Sequence, residues 1–439
     1  MLKRLAAAAA LAGLCTPVMA GEAAEILRKH LYEGRLAAGL EQLAPLQAGD
    51  QEARFGAGLL TFVQGVEHLA QALYRHGLAA PETGPMGPPL LLPVPVNPSP
   101  EPLDYQMVRD ILHTFVSDMD AARTLLEQAG EAGDYVVQLD LLRFRVDIDG
   151  DGVSAENESV GSVIANAFGA DAAAFAPEPM QLPERERDGP GSKTGRPATA
   201  PEPPTEAPPL PEAIVGFDRA DAIWLAGYSQ VFAAQMDFLL AHDFEDTVNV
   251  SFHRLFPRAG LPMQEFSSGG SLVLDPETDN VIADLIATIH TVDWPVVEPD
   301  RLRRVLSRFQ SVTALSRRNW EAILAETDDE LELVPSPRQT AIVPDGKVTD
   351  EVVATWMATL DTADDILAGE LLVPHWRFKQ GFDLKAYFET ATRTDFVMLL
   401  TGYAAVPYIK EGPVASAESF AAANKVFGDE FLGYVFWFN

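Results

Sequence analysis

The 439-residue sequence predicts a mainly α-helical fold, with helical hairpins in two units joined by a proline-rich linker. Three observations carry this expectation. Apolar residues recur at three- and four-residue steps through most of the chain, which is the period of a helix with one buried face. Alternating, strand-like stretches are few. Proline gathers in two places where no helix can continue. Hydrophobic residues make up 47% of the chain, enough for a large core, and the length suits two domains better than one.

The first 20 residues read as a targeting signal. Lys3 and Arg4 precede the apolar run LAAAAALAGL, which is too short to span a bilayer, and Val18-Met19-Ala20 supplies small residues at the positions a signal peptidase reads. Cleavage is expected after Ala20, giving a periplasmic or secreted protein. Cys15 is the only cysteine and leaves with that segment, so disulfides, thiol catalysis and cysteine metal ligands are excluded from the mature chain. The most apolar later stretch, AIWLAGYSQVFAAQMDFLLA, is interrupted by Gln230, Gln235 and Asp237, so no transmembrane segment is expected there. A formal net charge of −32 disfavours nucleic acid, whose phosphates need a basic face, and suits cations or basic partners.

A first helical unit is expected over residues 21–170. Residues 22–47 read as one or two short helices. Residues 51–77 form a stronger one, with Phe55, Leu59, Phe62, Val66, Leu69 and Leu73 on one face and Gly77 as the stop. Residues 81–102 hold nine prolines among Leu90, Leu91, Leu92, Val94 and Val96, which suggests an extended arm laid against a core. Residues 104–129 return to helix. Residues 171–212 hold eleven prolines with few large apolar residues and read as a disordered linker, or as a long loop within one domain. A C-terminal helical domain is expected over 213–439. Its helices fall at 218–242, 277–291, 299–325 and 350–368, the last with Thr349 as cap, Asp350 and Glu351 in its first turn and Gly369 as stop. TDFVMLLT and GYVFWFN are the strand candidates, and the first fits a helix equally well.

The most specific chemistry lies in DIDGDGVSAENE, Asp147 to Glu158. Asp147, Asp149 and Asp151 stand at positions one, three and five, Gly152 at six and Glu158 at twelve, the spacing D-x-D-x-D-G-x5-E of a calcium loop. The carbonyl of Val153 is the expected seventh-position ligand, and Ala155 at nine leaves room for water. Such hard oxygen donors suit Ca²⁺, and no nitrogen or sulfur is at hand for softer metals. The stretch resembles the EF-hand family of calcium loops. Two departures are visible: position eight is the polar Ser154, and the preceding YVVQLDLLRFRV alternates in part like a strand. No second loop is present for pairing, so weak, structural binding is expected.

Other candidates lie in the second half. Glu326, Asp328, Asp329, Glu330 and Glu332 follow an arginine-rich helix; they read as a solvated helix end, or as a second cation site or carboxylate pair. His290 stands three residues before Asp293, and His375 beside Trp376 and Arg377; lone histidines of this kind are usually hydrogen-bonded structural groups. Together with the acids at 326–330 they are the residues a periplasmic hydrolase would have to use, the alternative to a binding or scaffolding protein. No H-E-x-x-H, G-x-S-x-G or Walker loop occurs. Trp224, Tyr228, Trp376, Tyr434 and Trp437 read as core aromatics, or as the lining of a pocket for a sugar or peptide. The order of blocks ARFGAGLLTFVQGVEHLAQALYRHGL, DIDGDG, FDRADAIWLAGY, ETDDE, LLVPHWRF and WFN resembles a set of bacterial proteins expected to be exported. That resemblance implies no activity and no catalytic residues.

Overall fold

Short polar side chains start most of the helices. In the computed structural model, which describes residues 21–79, 94–162, 213–266, 269–329, 331–342, 348–416, 421–427, 435, 437 and 438, two short helices, α1 (Glu22–Glu33) and α2 (Leu36–Leu43), lean on α3 (Gln51–Arg75). Asp50 caps α3 by accepting from the Glu52 and Ala53 amides at 2.9 and 3.3 Å. Asp104 does the same for α4 (Tyr105–Ala129) through the Met107 amide at 2.8 Å. Such caps satisfy amides that the helix itself leaves unpaired. β1 (Val137–Asp140) follows and pairs antiparallel with β2 (Ile214–Phe217).

Beyond β2, α5 (Arg219–Leu240) begins in a reciprocal capping box between Asp218 and Asp221. Short helices α6 (Glu245–Ser251) and α7 (Pro262–Phe266) lead to α8 (Pro276–Thr291) and β3 (Asp293–Pro295). The long α9 (Pro299–Ala325) and α10 (Asp350–Ala368) follow. Small elements finish the chain: β4 (Val373–Pro374), β5 (Gly381–Phe382), α11 (Leu384–Thr390), β6 (Arg393–Asp395), α12 (Phe396–Thr401), β7 (Ile409–Lys410) and α13 (Ala421–Phe427). The fold is mainly α, as the periodicity predicts. The five shortest helices, five to seven residues each, show too few turns to register as a period.

Helices α3, α4, α5 and α9 pack in that spatial order. The main core joins Leu27, Phe55, Leu60 and Leu126 to Phe217, Ile223, Trp320 and Trp356. The helices before and after 163–212 therefore share one core, and of the two readings of 171–212 this packing agrees with a long connection inside one domain. Residues 1–20, 80–93 and 163–212, with the signal, most of the arm and the linker, lie outside the described residues. The described end of the arm is fastened to the C-terminal end of α3: the Asn97 side-chain amide donates to the Tyr74 carbonyl at 3.0 Å, and the Glu101 N–H to the Arg75 carbonyl at 2.9 Å.

Two strand expectations are corrected in part. TDFVMLLT divides: its first residues complete β6, and Asp395 then caps α12 through the Met398 amide at 2.8 Å. In GYVFWFN the described residues Val435, Trp437 and Phe438 are helical. Phe438 is wholly buried, edge-on to Trp320 and Trp356 with centroids 4.8 and 5.5 Å away. Ser316 is the polar link there: its hydroxyl donates to the Phe438 carbonyl at 3.1 Å and accepts from the Trp356 indole N–H at 3.0 Å. Ser316→Ala takes the acceptor from the buried Trp356 indole N–H, so urea unfolding should show a loss of about 1–3 kcal/mol. Conservation of stability in that variant would mean that water reaches the pair.

Candidate functional site

The loop Asp147–Glu158 is bolted to the N-terminal helices on three sides. The Asp147 N–H donates to Glu67 Oε2 at 2.8 Å, and its carbonyl accepts from Gln71 Nε2 at 2.8 Å, both on α3. The Arg145 N–H donates to the Leu31 carbonyl at 2.9 Å. The Ser154 hydroxyl donates to the Gly34 carbonyl at 3.0 Å, in the turn between α1 and α2. This accounts for a polar residue at position eight: the α1–α2 turn stands where a second loop would pair. The segment before the loop is β1 followed by a 3₁₀ turn, Leu141–Arg143, so the loop is not led in by a helix.

Inside the loop the backbone turns at Gly150 and Gly152, with φ of +73° and +85°, values at which a side chain is strained. Asp147 Oδ1 accepts from the Gly150 and Asp151 amides at 2.8 and 3.2 Å, and Oδ2 from Gly152 at 2.9 Å. Asp149 accepts from the Asp151 amide at 3.1 Å and Asp151 from the Val153 amide at 2.7 Å. One oxygen from each of Asp147, Asp149 and Asp151 lies within 4.8 Å of the others, the only such triple of metal-ligating side chains among the described residues.

Glu158 is placed differently. It is buried, and its Oε1 accepts from the Ile148 and Asp149 amides at 2.8 and 3.3 Å while Oε2 accepts from Ala155 at 2.7 Å. It closes the loop on itself and does not join the converging triple. Val153 keeps its side chain in solvent. Negative charge is concentrated around the loop: burial, and then the charges of Asp147 and Glu158, raise the Glu67 carboxyl above its ordinary range.

The second acidic cluster acquires a partner that its sequence neighbours do not reveal. Glu326, at the end of α9, meets Asp218, the cap of α5. Glu326 Oε1 is shut off from solvent and meets no N–H donor; it faces the Asp218 carboxyl, so one of the two must carry a proton. Burial, and then the charge of Asp218, push Glu326 up to about 9. Asp218 and the fully enclosed Asp221 are raised as well, burial again being the first cause. Gln339 donates to Glu326 Oε2 at 3.1 Å, and Asp329 accepts from the Thr340 amide at 2.7 Å. Asp328 lies near enough to Asp218, and the buried Glu332 near enough to Asp221 and Glu326, to add their repulsion. Glu330 lies outside the described residues. The FDRAD of α5 marks a helix start; nothing local says that its acids meet residues about a hundred positions later.

The two histidines do not join this cluster as a group of metal-ligating side chains. His290 is exposed on α8. His375 Nδ1 accepts from the Arg377 amide at 3.2 Å, which leaves Nε2 to donate to the Leu399 carbonyl at 2.9 Å. That is a structural histidine. No helix among the described residues is long and apolar enough to cross a membrane. Comparison of the chain with protein-family models, curated proteins and solved structures finds no match.

Proposed function

We propose that this is an exported, periplasmic protein of binding or scaffolding type, whose N-terminal helices are stapled by one Ca²⁺ in the loop 147–158. The observation that carries the reading is the convergence of Asp147, Asp149 and Asp151 oxygens on a loop fastened to α3 and to the α1–α2 turn. The three carboxylates and the Val153 carbonyl would hold the ion, water completing its shell, as suits a cation that takes six to eight oxygens. Glu158 serves as the clasp that presets the loop. The export reading rests on the residues of the first 20 positions.

With three side-chain ligands and no paired loop, affinity should lie around ~10⁻⁴–10⁻³ M. At a calcium concentration about 100-fold above the dissociation constant, binding should stabilise the fold by about 2.7 kcal/mol. The test is unfolding in chelator and in excess calcium. Asp149→Ala should unfold like the parent in chelator and lose the calcium response. Glu158→Gln should already be weaker in chelator, by about 1–3 kcal/mol, because it gives up charge-assisted bonds in a buried place. An identical midpoint with and without calcium in the parent protein would remove the ion from the account and leave an acidic turn.

A further inference from the structure

Four cations gather on one surface, in a chain whose acids outnumber its lysines and arginines by 64 to 32. Arg28 and Lys29 come from α1, Arg143 and Arg145 from the segment after β1. They line two cavities, of about 680 and 490 Å³, that share Tyr32, Arg143 and Arg145 as a common wall. Contacts between the two segments fix that wall. The Arg145 N–H donates to the Leu31 carbonyl at 2.9 Å, and the Asp140 N–H to the Tyr32 hydroxyl at 2.7 Å. The Arg143 guanidinium lies over the Tyr32 ring, its carbon 4.2 Å from the centroid. Arg28 donates to the Gln138 carbonyl at 3.3 Å, a contact that holds the side chain without neutralising it.

Among the described residues no carboxylate lies within 4.0 Å of the side-chain nitrogens of Arg28, Lys29 or Arg143. Three acids stand on the cavity walls. Glu33 is taken by Arg35, and Glu156, 93% exposed, comes only to 3.8 Å from Arg145. Glu25 is exposed and pairs with none of the four. Glu52 feels the charge of Arg28 but is engaged by the Ala24 N–H at 2.7 Å. Four cations held together against so little opposite charge repel one another, and a bound anion relieves that repulsion.

We infer that the two cavities bind a small oxyanion of diphosphate type, one phosphate group on each side of the wall that Tyr32, Arg143 and Arg145 form. Guanidinium forks match phosphate oxygens two at a time, and Lys29 adds a point charge. The exposed Asn157 offers a neutral donor in the larger cavity. Leu142 is the one aliphatic residue among the described residues of these walls, so an apolar ligand finds no surface to bury. The net charge of −32 repels a long polyanion such as nucleic acid, which leaves a short one.

The test is equilibrium dialysis of the full chain, stripped of divalent cations, against radiolabelled pyrophosphate. The expected result is one site per chain. Arg143→Ala and Arg145→Ala should each weaken it at least tenfold without moving the unfolding midpoint, since each removes a charge and a fork from the shared wall. Arg377→Ala, which removes an exposed arginine of the C-terminal segment, should bind like the parent. Inorganic phosphate, which fills one cavity, should compete at least tenfold more weakly than pyrophosphate. Absence of pyrophosphate binding at millimolar concentration overturns the inference. So does an equal loss in Arg377→Ala, which would mean diffuse charge attraction and no site. Phosphate competing as well as pyrophosphate overturns the two-cavity arrangement, and citrate competing better than pyrophosphate overturns the phosphate assignment and gives the site to polycarboxylates.

Discussion

Asp237→Ala should lower the stability of this protein by about 3–5 kcal/mol, the cost of removing one partner from a buried ion-pair network. Asp237 lies in α5, is fully buried, and has Arg308 Nε at 2.8 Å on one oxygen and Arg301 on the other. Arg308 is itself buried; its two terminal nitrogens donate to both oxygens of Asp120 at 2.7 and 2.8 Å, and one also donates to Gln230 at 2.8 Å. Arg301 continues the network to Glu298 at 2.8 Å and to His113 at 2.7 Å. The network joins α4, α5 and α9, the helices at the centre of the packing. Truncation of Asp237 leaves Arg308 Nε and one Arg301 nitrogen without their buried acceptor, although Asp120 and Glu298 still pair with the two cations, whereas the double variant Asp237→Leu, Arg308→Met removes a charge of each sign and replaces it with apolar volume. That double variant should be more stable than Asp237→Ala and should cost less than the two single changes together. Urea unfolding of the parent, Asp237→Ala, the singles Asp237→Leu and Arg308→Met, and the double variant measures both effects. Additive losses would show that Asp237 and Arg308 act independently, contrary to the geometry.

Glu326→Gln should stabilise the protein at pH 8–9 and change little at pH 5. Folded Glu326 titrates at about 9, against 4.5 for an ordinary glutamate. Between those values the folded state keeps a proton that the unfolded chain has released. Stability from this group therefore falls as pH rises through that interval. Asp218 and Asp221, raised in the same way, fall in the same direction. The glutamine keeps the shape, can donate its amide to the Asp218 carboxylate, and can accept from Gln339. Groups of opposite habit set the acid side: Asp120, where the bonds and charge of Arg308 outweigh burial, is held below its ordinary value and loses its contribution as pH falls. The difference between parent and Glu326→Gln isolates the pair from these. Thermal midpoints at half-unit steps from pH 5 to 9 should show the parent falling more steeply than the variant; parallel curves would mean that Glu326 is charged and solvated in the folded protein.

The helices were readable because their signals are local. Thr349 announces a start within three residues of the amide it caps, and Gly369 announces an end; Asp50 and Asp104 cap α3 and α4 by equally short contacts. Val352, Val353, Trp356, Leu360 and Leu367 recur at helical spacing along α10, and all five lie inside. The acidic loop was readable for the same reason, since the spacing of Asp147, Asp149 and Asp151 on one turn needs no other part of the chain. Its fastening was not, because Gln71 and Gly34 come from elements about 80 and 120 residues away.

Periodicity tells which side chains share a face. It does not tell which face meets the rest of the chain. On α9 both sides are covered, by α5 and by α10, so Arg308, Ser316 and Asn319 are buried while the apolar Leu324 is 41% exposed. On α8 the choice is reversed outright: His253 and Arg254 draw Asp284 inward, and the apolar face is left outside. Asp237, which in the sequence only interrupts an apolar run, becomes the anion at the centre of the bundle, and Asp218 becomes the proton-sharing neighbour of Glu326. Caps, stops and loop spacing were set by the order of residues, through contacts closed within a few positions. The pairing of charges and the direction each helix faces were set only by assembly, since an ion pair between residues about 70 to 190 apart depends on which helices lie side by side.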